Sequence, residues 1–262
     1  MTETRFLPFE GIENFRDFGA YNSARYGGRV RSGLLLRSAN HSTASDADLD
    51  ALKELSLAAV VDLRRPLERD KRPSRRPEGF GYSVIENDDQ ADDQFYHNQF
   101  FEGPNPDVDA LMDVRLTAYR NMPYRPRHLD LFRRFFAAVL ADKGPVLIHC
   151  MAGKDRTGLL AALMQHVLGV HPDDIMADYM LSEARIDIPA RAEEIRHELR
   201  QRFGRDYAPG IAELLAGVRE PLLQAALDVI LERSGDLDAY LLHDIGLSEA
   251  DQERLRTRLL AG

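Results

Sequence analysis

The chain has 262 residues, 44% of them hydrophobic and 29% charged, which is enough apolar material for one sizeable core and an ordinary balance for a globular protein. With 34 Lys and Arg against 43 Asp and Glu the net charge is -9, which excludes a general nucleic-acid surface, because affinity for a phosphate backbone needs concentrated positive charge. One cysteine, Cys150, excludes an intramolecular disulfide and a cysteine-rich metal site. No apolar stretch approaches the roughly 20 residues a membrane-spanning helix needs. The N-terminus lacks a basic segment followed by an apolar one, so the expected location is cytoplasmic, with export by a signal-less route left open.

In chain order, the stretch from Gly28 to Arg37 reads as strand material, and Ser45 with Asp48 opens a helix through about Leu55 as a capping box. Ala58 to Leu63 is a short apolar run of the kind buried on both faces of a parallel sheet, and Tyr82 to Ile85 is a weaker strand. From about Glu86 to Arg127 the chain turns acidic and rich in Pro, Asn and Gly, with one helix near Val108 to Arg120, and reads as an insertion able to form a lid. A helix near His128 to Ala141, a turn at Gly144-Pro145 and the strand Val146 to His149 run into Cys150, and a helix follows from about Arg156 to Leu168. Beyond Pro172 the period is helical almost throughout, making 172–262 a helical extension, and the apolar positions between Leu222 and Ile230 read as core. Strand-helix alternation predicts a single α/β domain with a central, mostly parallel sheet flanked by helices, plus extra helices from the insertion and the C-terminal third.

The chemistry concentrates in His149-Cys-Met-Ala-Gly-Lys-Asp-Arg-Thr-Gly158. A turn between a strand and a helix can aim successive backbone N–H groups at one point beyond the helix N-terminus, which makes an anion cradle. Met151, Ala152, Gly153, Lys154, Asp155 and Arg156 would wrap once around a tetrahedral phosphate, with the Cys150 thiolate at the base and the Arg156 guanidinium bidentate on two oxygens. The helix N-terminus, the converging N–H groups and Arg156 favour thiolate over thiol. In-line attack would then give a phosphocysteine that water hydrolyses, with Thr157 able to donate a hydrogen bond to the departing thiolate. Taken alone, a cysteine closing a buried strand is usually a small hydrophobe; here Gly, Arg, Thr and Gly at these spacings argue for the nucleophile.

This segment is similar to the signature of the cysteine phosphatases, in the form found in bacterial and fungal tyrosine and dual-specificity phosphatases that also act on phosphoinositides. Asn14-Phe-Arg-Asp17, Arg37-Ser38, Asp62-Leu-Arg64 with Glu68, and Ala177-Asp-Tyr179 resemble further pieces of that family in the same order. The resemblance implies an aspartate after the third strand as the acid that protonates the leaving group, and counting from Tyr82 to Ile85 brings Asp89 to that place. Here Glu86-Asn-Asp-Asp89 stands instead of an apolar approach, which leaves Asp88 open as well; Asp62 and, inside the cradle, Asp155 are the other candidates. The resemblance also links Lys154 to multiply phosphorylated head groups, adding positive charge at the rim.

Asp62 and Arg64 end a strand expected to be parallel to the one ending at Cys150, so either could border the pocket, or Arg64 could pair with Glu68 to brace the loop. His149 is expected to orient the loop through a ring hydrogen bond. The cluster Asp88 to Asp93 lacks the spacing of a calcium loop, so neither metal nor cofactor is expected, and the basic stretch Arg64 to Arg76 could be a solvated surface or a guide for an anion. The expected partner is a phosphorylated protein or a phosphoinositide. A phosphate-binding module without turnover and a phosphatase of a small metabolite such as an inositol phosphate are the other readings. A deep narrow cleft would favour phosphotyrosine and a wide basic one inositides.

Overall fold

A computed structural model of the chain describes residues 5–89, 100–104 and 106–262. Its first half contains β1 (Arg16–Asp17), β2 (Arg29–Val30), β3 (Leu35–Ser38), α1 (Asp46–Glu54), β4 (Ala59–Asp62), α2 (Pro66–Lys71), β5 (Ser83–Ile85), α3 (Val108–Asn121) and α4 (Pro126–Leu140). The second half contains β6 (Val146–His149), α5 (Asp155–Val167), α6 (Pro172–Met180), α7 (Ile188–Phe203), α8 (Ile211–Ala216), α9 (Glu220–Ser234), α10 (Leu237–His243), α11 (Glu249–Leu259) and β7 (Leu260–Ala261).

The main sheet has the order β1-β3-β6-β4-β5, parallel except for β1, as the strand-helix alternation predicts. Residues 59–62 of β4 and 146–149 of β6 are buried throughout, which is why these strands read as unbroken apolar runs rather than alternating ones. Register places Ser38, Asp62 and His149 side by side at one edge, so the segments after β3, β4 and β6 leave the sheet together. That edge is where open α/β sheets bind ligands.

Helix α4 lays Leu131, Phe132, Phe135, Phe136 and Val139 against the sheet, a helical stripe in which each large side chain contributes about 1.5–3 kcal/mol on burial. Helix α5 is buried nearly all round, so it starts at the sheet edge and runs through the middle of the molecule. The same apolar cluster extends through Leu222, Leu223, Ala226 and Ile230 of α9, the core positions expected from their spacing. The capping box of α1 forms as expected, with the Asp48 amide donating to Ser45 Oγ and the Ser45 amide to Asp48.

Two features depart from the sequence reading. The last residues of the chain do not simply end a helix: β7 pairs antiparallel with β2, a tertiary contact that outweighs helical period at Leu260 and Ala261. Residues 66–71, part of the basic stretch Arg64 to Arg76 for which no helix is expected from sequence, form α2, whose proline at the first helical position suits a helix start. Of the acidic stretch 88–93, only Asp88 and Asp89 are among the described residues. Among those residues no helix is long and apolar enough to cross a membrane.

Candidate active site

Strand β6 delivers Cys150, 1% exposed, into the turn that precedes α5. Three successive carbonyls of this turn are held outward. Met151 O accepts from the Asn40 amide at 3.0 Å and from its Nδ2 at 2.9 Å. Ala152 O accepts from Asn14 Nδ2 at 3.1 Å, and Gly153 O accepts from Asn14 Nδ2 at 3.0 Å and from Arg37 Nη2 at 2.9 Å. Because the peptide unit is planar and trans, the N–H groups of Ala152, Gly153 and Lys154 point away from those acceptors' partners, to the other side of the turn. Gly153 has φ of +65°, and a Cβ there would meet Ser38 O at 2.3 Å, so the turn passes against β3 only with glycine at this position.

A second layer fixes the donors. Asn14 Oδ1 accepts a short hydrogen bond from Arg16 Nη1, while Arg16 and Arg37 both pair with Asp178, at 3.3 and 2.6 Å. All three side chains are essentially inaccessible. Burial alone would raise the Asp178 carboxyl, but the two guanidiniums hold it below the usual carboxylate range. Below the loop, the rings of His41 and His149 stack with centroids 4.6 Å apart, and His149 Nδ1 donates to the Cys150 carbonyl at 3.4 Å.

Arg156, at the start of α5, donates from Nη1 to Glu68 Oε2 at 2.6 Å and from Nη2 to Glu68 Oε1 at 2.9 Å, and Nη1 also donates to Leu63 O at 3.1 Å. A guanidinium has five N–H groups in a fixed fork. These three bonds occupy the end and one flank, and the Nε–Nη2 edge has no hydrogen bond among the described residues. That edge is the bidentate one a phosphate would use. Glu68 therefore braces Arg156 and not Arg64, contrary to the pairing considered from sequence. Arg64 instead closes on Asp62, with Nη2 to Oδ2 at 2.6 Å, a pair two residues apart that forms as β4 ends.

The four candidate acids separate clearly. Asp62 is 1% exposed and engaged by Arg64, with His149 Nε2 at 3.7 Å. Burial opposes its ionisation, but His149 and Arg64 hold it far below the ordinary range, so this carboxylate is an ion-pair partner. Neither Asp62 nor Arg64 lines the cavity beside the loop, and Arg64 borders a separate cleft with Arg69, Arg76 and Asp88. Asp88 pairs with Arg69, and Asp89 is exposed, with its amide donating to Asn87 Oδ1 and its carbonyl accepting from Arg127. Asp155 alone of the four lines the cavity. It accepts a short hydrogen bond from the Tyr119 hydroxyl and one of 3.1 Å from Arg115. Burial would raise its pKa, but Lys154 and Arg115 bring it below the usual carboxylate value.

Lys154 lines the cavity, with its ammonium engaged by backbone carbonyls. At 4% exposure, its ammonium donates to the carbonyls of Leu215, Ala216 and Gly217 at 2.5, 2.9 and 2.9 Å. The four-carbon stem reaches unpaired carbonyls at a helix end. Thr157 Oγ1 is buried with no hydrogen-bond partner.

The loop opens into a cavity of about 890 Å³. Its lining includes Met151, Ala152 and residues 154–156 of the loop, Arg115, Tyr119 and Met122, and Arg191, Ile195 and Leu199 of α7. The lining thus draws on residues of the C-terminal third as well as on the described part of the stretch read as an insertion.

Comparison with known proteins agrees with this geometry. Residues 7–261 match the model of the tyrosine phosphatase family. The chain belongs to that family. It is 33% identical to the triple specificity protein phosphatase PtpB of Mycobacterium tuberculosis, over 98% of this chain and 99% of that one. It is also 36% identical to a putative tyrosine-protein phosphatase of Cupriavidus necator, over 98% and 89%, and 28% identical to a tyrosine-protein phosphatase of Nostoc commune, over 88% and 75%. The protein is a tyrosine-phosphatase-type enzyme.

Several residues that shape the phosphatase site had no role assigned from sequence. Asn14, Arg37 and Asp178 fall in segments that resemble the family, but nothing in their spacing shows that they converge on residues 151–153. Asn40, Arg115 and Tyr119 carried no signal: each reaches the site from an element whose position only the fold sets.

Proposed function

We propose that this phosphatase hydrolyses phosphomonoesters with Cys150 as nucleophile, without metal or cofactor. The observation that carries the reading is the loop in which three consecutive carbonyls are clamped outward around Cys150 while Arg156 keeps one bidentate edge open. The inward N–H groups and Arg156 take the negative phosphoryl oxygens and stabilise the charge that spreads over them in the transition state. The Cys150 sulfur attacks phosphorus in line and the ester P–O bond breaks, leaving an S–P bond. Water then attacks that phosphorus, and inorganic phosphate leaves with return of the thiolate.

Asp155 is the residue best placed to give the leaving oxygen its proton. Lys154 and Arg115 hold its carboxyl below the usual range, and the negative charge of a bound phosphate dianion opposes them by like-charge repulsion, so substrate itself favours the protonated acid. Tyr119 and Arg115 aim the carboxyl.

For substrate, the lining of the cavity of about 890 Å³ sets Arg65, Arg72, Arg125, Arg127, Arg191 and Arg202 against Glu68, Asp155 and Glu198, and although Arg65, Arg72 and Arg191 are ion-paired the balance is positive in a chain whose net charge is -9. That local reversal of charge suits a substrate with more than one phosphate. It supports phosphoinositides beside phosphotyrosine as substrates, in a chain similar to a triple specificity protein phosphatase of M. tuberculosis.

The test is phosphate release in excess chelator from a phosphotyrosine peptide, a phosphoserine peptide, a phosphoinositide in micelles and a soluble inositol phosphate. Release from the phosphotyrosine peptide and the phosphoinositide is expected. Release from the soluble inositol phosphate alone would favour a metabolite enzyme, and phosphate binding with no release from any would overturn the catalytic reading.

A further inference from the structure

The C-terminal end of α8 is closed in an unusual way. A helix ends with carbonyls that have no intrahelical donor, commonly satisfied by a left-handed residue that folds the chain back. Here Gly217 is extended, with φ of -82° and ψ of 178°; its N–H closes the last turn on Glu213 O at 3.0 Å, and the next amide, of Val218, goes to Glu183 Oε2 instead of back to the helix, so the carbonyls of residues 214–217 are left to other donors. Two cations from elsewhere take over. Arg115 Nη1 donates to Leu214 O in a short hydrogen bond, and Lys154 Nζ donates to the carbonyls of Leu215, Ala216 and Gly217. An ammonium has three donors, so Lys154 has spent its whole capacity on α8. Both cations also meet Asp155, Arg115 at 3.1 Å and Lys154 at 3.9 Å.

We propose that Lys154 and Arg115 are positioning residues that dock α8 onto the phosphate loop, so that filling the loop and closing the cavity wall are coupled. Positive charge at a helix C-terminus is favoured by the helix dipole. Lys154 belongs to the loop through its backbone and to α8 through its side chain, and whatever orders residues 150–156 steadies α8. Helix α8 in turn carries Leu215 and Ala216 into the cavity lining and packs Ala212 and Ala216 on Ala192 of α7, a helix that also lines the cavity. Lys154 thus acts on substrate through the wall and makes no contact with phosphate. The link to phosphate rests on the function proposed above; the docking itself does not.

Hydrogen exchange, read by mass spectrometry on peptides covering 211–218, separates these. Without ligand, Lys154→Met is expected to speed exchange there by about tenfold or more, the equivalent of losing one hydrogen bond to a charged group, while peptides of β6 and α5 keep native protection. Orthovanadate, a phosphate analogue, is expected to slow exchange in 211–218 of the native protein and to have no such effect in Lys154→Met. Unchanged exchange in the ligand-free variant would overturn the docking role. Faster exchange in the native protein on adding vanadate would also overturn it, because it would mean that Lys154 leaves α8 for the anion. This second arm needs no substitution, so it decides the matter even if the variant unfolds. Vanadate that fails to bind at all would count against the phosphate loop, with the ligand-free comparison still deciding the docking.

Discussion

Replacing Glu68 by Gln tests how Arg156 is held. The native pair is bidentate, with bonds of 2.6 and 2.9 Å between side chains that are each 15% exposed. Glutamine keeps one acceptor and turns an amide N–H₂ toward the other guanidinium nitrogen, so one charge-assisted bond is lost and the Nε–Nη2 edge is no longer aimed. Such a bond is worth about 1.5–3 kcal/mol, or about 10- to 150-fold in kcat/KM if it acts wholly in the transition state. Stability falls as well, since removing one partner of a buried pair leaves the other charge uncompensated. The assay is steady-state hydrolysis of p-nitrophenyl phosphate by native, Glu68→Gln, Arg156→Lys and the double variant. Lysine cannot make the bidentate contact, so the cycle predicts that Glu68→Gln costs little in the Arg156→Lys background. An equal cost in both backgrounds, or no loss of kcat/KM in Glu68→Gln, would refute the reasoning.

Other outcomes follow from the same geometry. Asp155→Asn should lower turnover of an alkyl phosphate by about 100- to 10,000-fold and affect p-nitrophenyl phosphate far less, because that leaving group needs no proton, whereas Asp89→Asn should leave both rates near native. Gly153→Ala should abolish vanadate binding in a titration calorimeter, because a Cβ would sit 2.3 Å from Ser38 O with φ at +65°. His128 is pushed down by burial from 6.5 to about 3. With the folded value depressed, the unfolded chain takes up the proton first as pH falls, so stability is full above 6.5 and declines toward 3. In urea unfolding over that range, His128→Gln should flatten the decline, and an unchanged slope would show that other groups set it.

How much was legible in the sequence depends on the range of the interaction. The turn between β6 and α5 could be read because its parts lie within ten residues, His149 to Gly158, and the strand-helix junction around them is marked by an apolar run on each side. The parallel sheet was legible for the same reason: Val146 to Ile148 and Ala59 to Val61 have no polar alternation. The braces were not. Glu68 and Arg156 are 88 residues apart and Arg115 and Leu214 are 99 apart, and local pattern cannot rank one carboxylate or carbonyl against another at that distance. Lys154 shows the limit most sharply. Its place in the loop suggested a substrate contact, but a side chain of that length has a choice of acceptors, and the nearby end of α8 offers three.

The most direct test of the central claim is acid quench of the enzyme during turnover, followed by peptide mapping. The account predicts phosphate carried by the peptide that contains Cys150, in the presence of excess chelator, and neither this adduct nor phosphate release in Cys150→Ser. Release that persists in Cys150→Ser, or that chelator stops, would contradict it.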